Sequence, residues 1–493
     1  MAESTTTPLI TLLSMLNIGL VLFGSYHVLR YPREPRAMLV WLLTFLLLPA
    51  LKVMLFFLLS DPRLRRRQRR LTRRRQRINP ELWRHLNAVH ERYAPIFEAV
   101  PNPAPLRRFI DLSTRINNER APTAQNAVLI YHHQAPQLWQ DLLQALESAC
   151  SHIHLEYFTF RPDASGQRIA AILKDKARAG VRCRLLADHV GSWGWPTAFA
   201  QSLLDAGVDV AFFMPVIPWR NQRWRLRLNF RNHRKLAVID GRVAFTGSQN
   251  IGDEYFGADK SIQDWIDTHL RLSGPAVHEL QEIFVEDWHF ATGEDLYDPM
   301  HFPTPDSVPD GQGRIVQIIP SGPDYDARIM HHLLLAAISA AERTVRIASP
   351  YFVPDPTMVL SLETAAYRGV RVQLLVPAWS DHRIALWAGR SYYRELLEAG
   401  IEVFEYQSGF LHSKLVIVDE NWAMIGSANM DERSFRLNFE LTTVLYAHDT
   451  GQQMRAEFDA MLQQAQHIDP THLNRSLGES LLLGLARVAS PMY

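Results

Sequence analysis

Cysteine is almost absent from this sequence: Cys150 and Cys183 are the two among 493 residues. Two thiols build neither a disulfide framework nor a cysteine-based zinc site, which suits a reducing compartment with both thiols buried. Net charge is also scarce, at +1, but it is unevenly spread. Residues 63–77, RLRRRQRRLTRRRQR, hold ten arginines and no acid, so the remaining residues carry −9 (+1 minus +10). The basic surface is therefore local. The N-terminus lacks a basic stretch before its first apolar run and lacks a small-residue cleavage site, which argues against a secretory signal peptide. With 47% hydrophobic and 21% charged residues, the composition is that of a globular fold. The length allows roughly three domains, or one large unit built from two halves.

Two apolar runs are present, at 8–28 and 38–59. A helix needs about 20 such residues to cross a bilayer. The connection LRYPREPRA is short and contains proline, so residues 1–62 are expected to form a transmembrane helical hairpin. The arginine run follows at once and opens a basic juxtamembrane helical region, 63–120. The positive-inside rule then places all that follows in the cytoplasm. Arg30, Arg33 and Arg36 pull the other way and Lys52 interrupts the second run, so a re-entrant hairpin stays open. Beside an apolar hairpin, the arginines read as a topology signal at anionic headgroups, at about 1 kcal/mol per basic residue. No nucleic-acid partner is expected, and the lipid bilayer is.

From about residue 120 the chain alternates strand-like and helical stretches. AVLIYHH (127–133) and IHLEYFTF (153–160) read as strands, followed by helical GQRIAAILKDKARAG and the strand VRCRLLAD (181–188). TVRIASPYFVPD (344–355) and LETAAYRGVRVQLLVP (362–377) repeat that order. The fold class is α/β, with mostly parallel sheets. A first domain is expected at 121–291, a proline- and acid-rich linker at 292–313, a second domain at 314–470 and an apolar segment at 471–493. A repeat this long means duplicated domains, which can pack as a pseudo-dimer and bring equivalent residues to a shared seam.

The chemistry lies in a repeated motif. His233, Lys235 and Asp240 fit H-x-K-x4-D, followed by Gly247, Ser248 and Asn250; His412, Lys414, Asp419, Gly426, Ser427 and Asn429 repeat it, with seven residues from Asp to Gly in both. In a strand, His233 and Lys235 share one face while Asp240 points away, so Asp240 and Asp419 are expected to support turns. An Asp240-Gly241 hairpin turn would place Ser248 across from His233, and Ser427 across from His412. Histidines, lysines, hydroxyls and amides offer donors, cations and nucleophiles without the acidic cluster of a Mg²⁺ or Ca²⁺ site. Such a set suits displacement at phosphorus, with one histidine as nucleophile and the other as acid and then base. Each histidine needs an acceptor to fix its tautomer. Asp267 and Glu440, at the starts of matching downstream strands, are the candidates, with Asp267 set against His233.

These residues resemble the phospholipase D superfamily, whose signature is the duplicated H-x-K-x4-D. The two apolar segments, RNHRK at 231–235, NFE at 438–440 and GPAVHELQEIFVEDW at 274–288 are similar, more narrowly, to the bacterial cardiolipin synthases. That resemblance implies two phospholipase D-like domains and a multi-pass enzyme of the bacterial inner membrane. It also implies catalysis by His233, Lys235, Asp240, His412, Lys414 and Asp419 without metal or other cofactor. The expected reaction transfers a phosphatidyl group between two phosphatidylglycerol molecules, with His233 as nucleophile and His412 as acid and base. Hydrolysis, or transfer with another donor or acceptor, stays open at this point, as does the oligomeric state. Arg220, Arg223, Arg225, Arg227 and Arg231 are candidates for holding anionic headgroups, and 477–493 for lying in the membrane interface.

Overall fold

The computed structural model describes residues 6–30, 35–47, 79–94, 103–117, 120–217, 219, 229–257, 264–306, 308, 312–325, 328–472 and 476–489. In the first half, strands His152–Tyr157, Arg182–Asp188 and Asp209–Phe213 run parallel, joined through helices Ala164–Arg178 and Thr197–Asp205. Asp163 caps the first of these helices by accepting from the Gly166 N–H at 3.1 Å. Ile169, Ala170, Ile172 and Leu173 form its buried face, the spacing of an amphipathic helix laid on a sheet. The second half repeats the unit with strands Thr344–Ala348, Arg371–Pro377 and Glu402–Tyr406, and Asp355 caps helix Pro356–Tyr367 in the same way.

The sheet is mixed rather than mostly parallel. Beside His152–Tyr157 lie, in order, Lys235–Ile239, Val243–Gly247, Thr268–Ser273 and Thr123–His132, each antiparallel to its neighbour. The second half has the same order with Leu415–Val418, Trp422–Gly426, Glu440–Tyr446 and Arg314–Ser321. The cause is loop length: tight connections after Ile239 and Val418 can join only antiparallel strands. The halves meet edge to edge, Thr123 opposite Val316 and Asn126 opposite Arg314, so among the described residues one 15-stranded sheet crosses the molecule.

Helix Ala276–Thr292 is buried along Ala276–Trp288 and packs on strands of both halves. Two earlier helices also belong to the folded body. Pro80–Arg92 inserts Leu82 into the core, and Pro103–Ile116 buries Leu106, Phe109 and Ile110 against the second half. Asn117 just beyond it donates to the Ile318 carbonyl at 2.8 Å. The arginine run 63–77 lies outside the described residues, as do Arg220, Arg223, Arg225 and Arg227.

The N-terminal expectation needs correction. Helices Thr6–Arg30 and Pro35–Leu47 do form a hairpin, packed through Val28 and Phe45. Among the described residues, however, no helix is long and apolar enough to cross a membrane. The second apolar run is described only over Pro35–Leu47, and the rest of it, 48–59, lies outside the described residues. The cysteines also differ from expectation: both are free thiols, but only Cys183 is buried and Cys150 is exposed.

Candidate active site

The first motif copy starts a strand at Lys235, and in the second the strand starts at Leu415, just after Lys414. In the first, Ile239 pairs with Val243 and the Arg242 N–H donates to the Ile239 carbonyl at 3.0 Å. The Asp240-Gly241 turn forms, with φ of 54° and 63°, but Arg242 is inserted before the ladder begins, as in a bulge. The register is therefore one residue away from that expected, and Ser248 does not face His233. The second copy has the same register, Val418 opposite Trp422, with φ of 51° at Asp419 and 59° at Glu420.

Asp240 and Asp419 turn away from the site. Asp240 accepts the backbone N–H groups of Cys150, Ser151 and His152 at 2.8, 2.7 and 2.9 Å. Asp419 does the same for Glu342, Arg343 and Thr344 at 2.8, 2.7 and 2.8 Å. Each carboxylate tethers the turn to the start of the neighbouring strand. The motif aspartates thus touch none of the histidines or lysines they are spelled with.

The histidines and lysines do meet, and the two halves exchange acids to bring this about. The Asn232 region pairs with Phe439, and Phe410–Leu411 pairs with Trp265–Ile266, so the segment before each histidine lies beside the segment before the other half's acid. The His233 N–H donates to the Phe439 carbonyl and the His412 N–H to the Ile266 carbonyl, both at 2.8 Å. His412 Nδ1 then lies 2.9 and 3.0 Å from the two Asp267 oxygens, and His233 Nδ1 lies 3.4 Å from Glu440 Oε1. The expected pairing of Asp267 with His233 is overturned: strand crossing at the seam gives Asp267 to His412. Trp265 Nε1 donates to Asp267 at 2.8 Å. Glu440 accepts from Ser427 at 2.5 Å, Ser434 at 2.9 Å and Asn438 at 3.2 Å.

The serines bind the acid strands. Ser248 Oγ contacts both the carbonyl and the N–H of Thr268 at 3.0 Å. The preceding glycines permit this approach: a Cβ on Gly247 would meet the Thr268 carbonyl at 2.6 Å and one on Gly426 the Leu441 carbonyl at 2.3 Å. Asn250 accepts from the Thr159 N–H at 3.2 Å. The Asn429 N–H donates to Ser434, while its buried Oδ1 has no hydrogen-bond partner among the described residues.

Lys235 and Lys414 each donate to the carbonyl of the histidine two residues before, at 2.6 Å. Burial pushes Lys235 down to about 8 and Lys414 to about 7, against the pull of Asp267 and Glu440. Burial also lowers His412, to about 4, and His233, aided in each case by its neighbouring lysine. Burial would raise both acids, but His412 and Lys414 hold Asp267 well below the usual carboxylate range, and His233 and Lys235 hold Glu440 down. When both lysines are protonated, two lysinium and two carboxylate groups with neutral histidines sum to zero. An incoming phosphodiester monoanion would tip that balance and favour a proton on a histidine. Among the described residues, no group of three or more His, Cys, Asp or Glu is placed to hold a metal ion.

The sequence reading missed the support behind His233. Arg234 lies between His233 and Lys235 and is buried. It pairs with Asp287 of the central helix and donates to the carbonyls of Glu440 at 3.1 Å and Ser321 at 3.2 Å. Asn232 donates to Glu156 at 2.6 Å. A charged residue on the hidden face of a buried strand was the available signal. Arg231 is also buried, 3.4 Å from Asp188, so it does not present its charge to a headgroup at the surface.

The solved phosphatidylserine synthase of Haemophilus influenzae Rd KW20 matches 78% of this chain and 98% of its own at a TM-score of 0.58, with 14% identity. That likeness is one of fold: a paired α/β structure. Residues 142–288 and 334–462 match the family described as "Cardiolipin synthase, PLD-like domain". The cardiolipin synthase of Geobacillus sp. (strain WCH70) is 39% identical over 97% of this chain and 93% of its own. That of Alkalihalophilus pseudofirmus is 43% identical over 71% of this chain and 69% of its own. The chain belongs to the cardiolipin synthase family of phospholipase D-type phosphatidyltransferases.

Proposed function

We propose that this enzyme joins two phosphatidylglycerol molecules into cardiolipin and glycerol at the seam between its halves. The observation that carries the reading is the convergence of two histidine–lysine pairs, each histidine held by an acid of the opposite half. Lys235 and Lys414 hold the phosphodiester, and its negative charge favours a proton on His412, which Asp267 stabilises. His233 Nε2 attacks phosphorus; the bond to the terminal glycerol oxygen breaks, and His412 gives that oxygen its proton. The second phosphatidylglycerol then loses its hydroxyl proton to His412 as its oxygen attacks phosphorus and the P–N bond breaks. The phosphodiester count is conserved, so no external energy source is needed. The lysines follow charge that moves onto the equatorial oxygens in each transition state.

The apolar N-terminal hairpin holds the enzyme at the bacterial cell membrane, with the catalytic halves facing the cytoplasm. Purified full-length enzyme given phosphatidylglycerol in mixed micelles should release cardiolipin and glycerol in equal amounts. His233→Ala or His412→Ala should lower this rate on the order of 10³-fold. Release of phosphatidic acid without cardiolipin would overturn the transfer reading.

A further inference from the structure

The C-terminal helix Leu477–Ala489 has two unlike faces. Leu483 and Ala486 are buried, and Ala486 enters a small cluster with Val353, Ala385 and Ala388, bordered by Tyr351 and Trp387. Arg487 fixes the same face: its guanidinium lies 4.0 Å over the Tyr392 ring and 3.0 Å from Glu395. Leu477, Leu481, Leu485 and Val488 recur every three or four residues on the opposite face, at 80, 60, 69 and 80% exposure. A docked helix that leaves such a stripe uncovered has a second apolar partner.

Position identifies that partner. Tyr351, beside the helix, donates to Asp381 at 2.7 Å, and Val353 of the same cluster pairs with Asp431, two residues beyond Asn429 of the second motif. The helix therefore stands at the rim of the active site. The rim carries other exposed apolar groups at equivalent places: Trp379 follows the parallel strand Arg371–Pro377, and Val190 and Trp193 follow its counterpart Arg182–Asp188. In the first half this is the edge where Lys235, opposite Tyr157, enters the sheet. Tryptophan at a rim and leucine along a helix is the pattern of a surface that meets headgroups and upper acyl chains.

We propose that the leucine face of helix Leu477–Ala489, with the Trp379 and Trp193 loops, is a bilayer-docking surface that sets the active-site mouth against the membrane. The choice of lipid rests on the phosphatidyl-transfer reading, but contact can be measured whether or not transfer occurs. Full-length protein carrying Cys150→Ser would receive a single environment-sensitive fluorophore at Leu485→Cys, or at Tyr367→Cys as an exposed control away from the helix. Both would be reconstituted into phosphatidylglycerol/phosphatidylethanolamine vesicles with and without acyl-brominated lipid. Strong quenching at 485, absent at 367, is expected. Equal, weak quenching at both sites overturns the proposal. So does a blue-shifted but unquenched probe at 485 whose shift fades as protein is diluted in lipid, because that outcome assigns the face to a second copy of the chain. Leu481→Asp combined with Leu485→Asp should slow turnover in vesicles by about tenfold and leave turnover of dispersed short-chain phosphatidylglycerol unchanged. Equal loss on both substrates contradicts a docking role.

Discussion

The two copies of the motif share their backbone frame and differ in what stands behind it. In both, an aspartate at positive φ gathers three N–H groups, a lysine reaches back to its histidine's carbonyl, and a glycine lets the following serine approach the acid strand. Behind the first strand, Arg234 is locked to Asp287 and to two carbonyls across the seam. At the corresponding place in the second copy, Ser413 makes a 2.6 Å hydrogen bond to Thr268. The acids differ too: Asp267 makes two short contacts with His412, whereas Glu440 makes one longer contact with His233 and is shared among three donors. Duplication preserved the geometry that folds the site, and the halves diverged in the groups that hold each histidine.

The largest asymmetry should be in stability. Asp287→Asn leaves Arg234 buried without its counter-charge and should cost about 3–5 kcal/mol. Ser413→Ala removes one neutral hydrogen bond and should cost about 1 kcal/mol. Denaturant melts of the two variants test this, and equal losses would remove the distinction. The acids come next. Asp267→Asn should reduce turnover on the order of 10²-fold or more, because His412 loses the acceptor that fixes its tautomer and steadies its proton. Glu440→Gln should cost less, in keeping with its longer contact. Steady-state rates with matched folding controls distinguish the two.

Asp240→Asn and Asp419→Asn should break the symmetry least. Each weakens charge-assisted bonds worth about 2 kcal/mol in stability, while turnover per folded molecule should stay near that of the parent. A large loss of turnover without a loss of stability would restore a chemical role for the motif aspartates. The lysines differ in the pH at which they lose charge. A lysine loses its charge as pH rises through its pKa, and burial brings Lys414 to about 7 and Lys235 to about 8. kcat/KM should therefore fall above pH ~7–8, by about tenfold per unit once one lysine is titrating. Lys414→Arg should move that limb upward, toward the value set by Lys235.

Much of this was legible in the sequence because it is local. Alternating strand and helix patterns gave the duplicated α/β halves, and strand parity turned Asp240 away from His233. The misreadings lie where one residue or one crossing decides. Arg242 after the Asp240-Gly241 turn shifts the ladder by one, which turn chemistry alone does not reveal. The pairing of Asp267 with His412 depends on two short strand contacts between residues about 145 apart, Phe410–Leu411 with Trp265–Ile266. A local pattern carries no information about that exchange. Arg234 was hidden for a similar reason, since its partner Asp287 lies 53 residues away on a helix whose buried charges break its apolar periodicity. The sheet was expected to be mostly parallel because helices between strands are conspicuous and hairpins are short.

The proposed transfer rests on two histidines that share one site, one of them carrying the phosphatidyl group between lipids. The most direct measurement is rapid quenching of the full-length enzyme with phosphatidylglycerol labelled at phosphorus, followed by peptide mapping. The proposed transfer should leave a base-stable, acid-labile phosphorus–nitrogen adduct on His233 that is consumed as cardiolipin forms. Normal cardiolipin formation with no adduct on either His233 or His412 would contradict it.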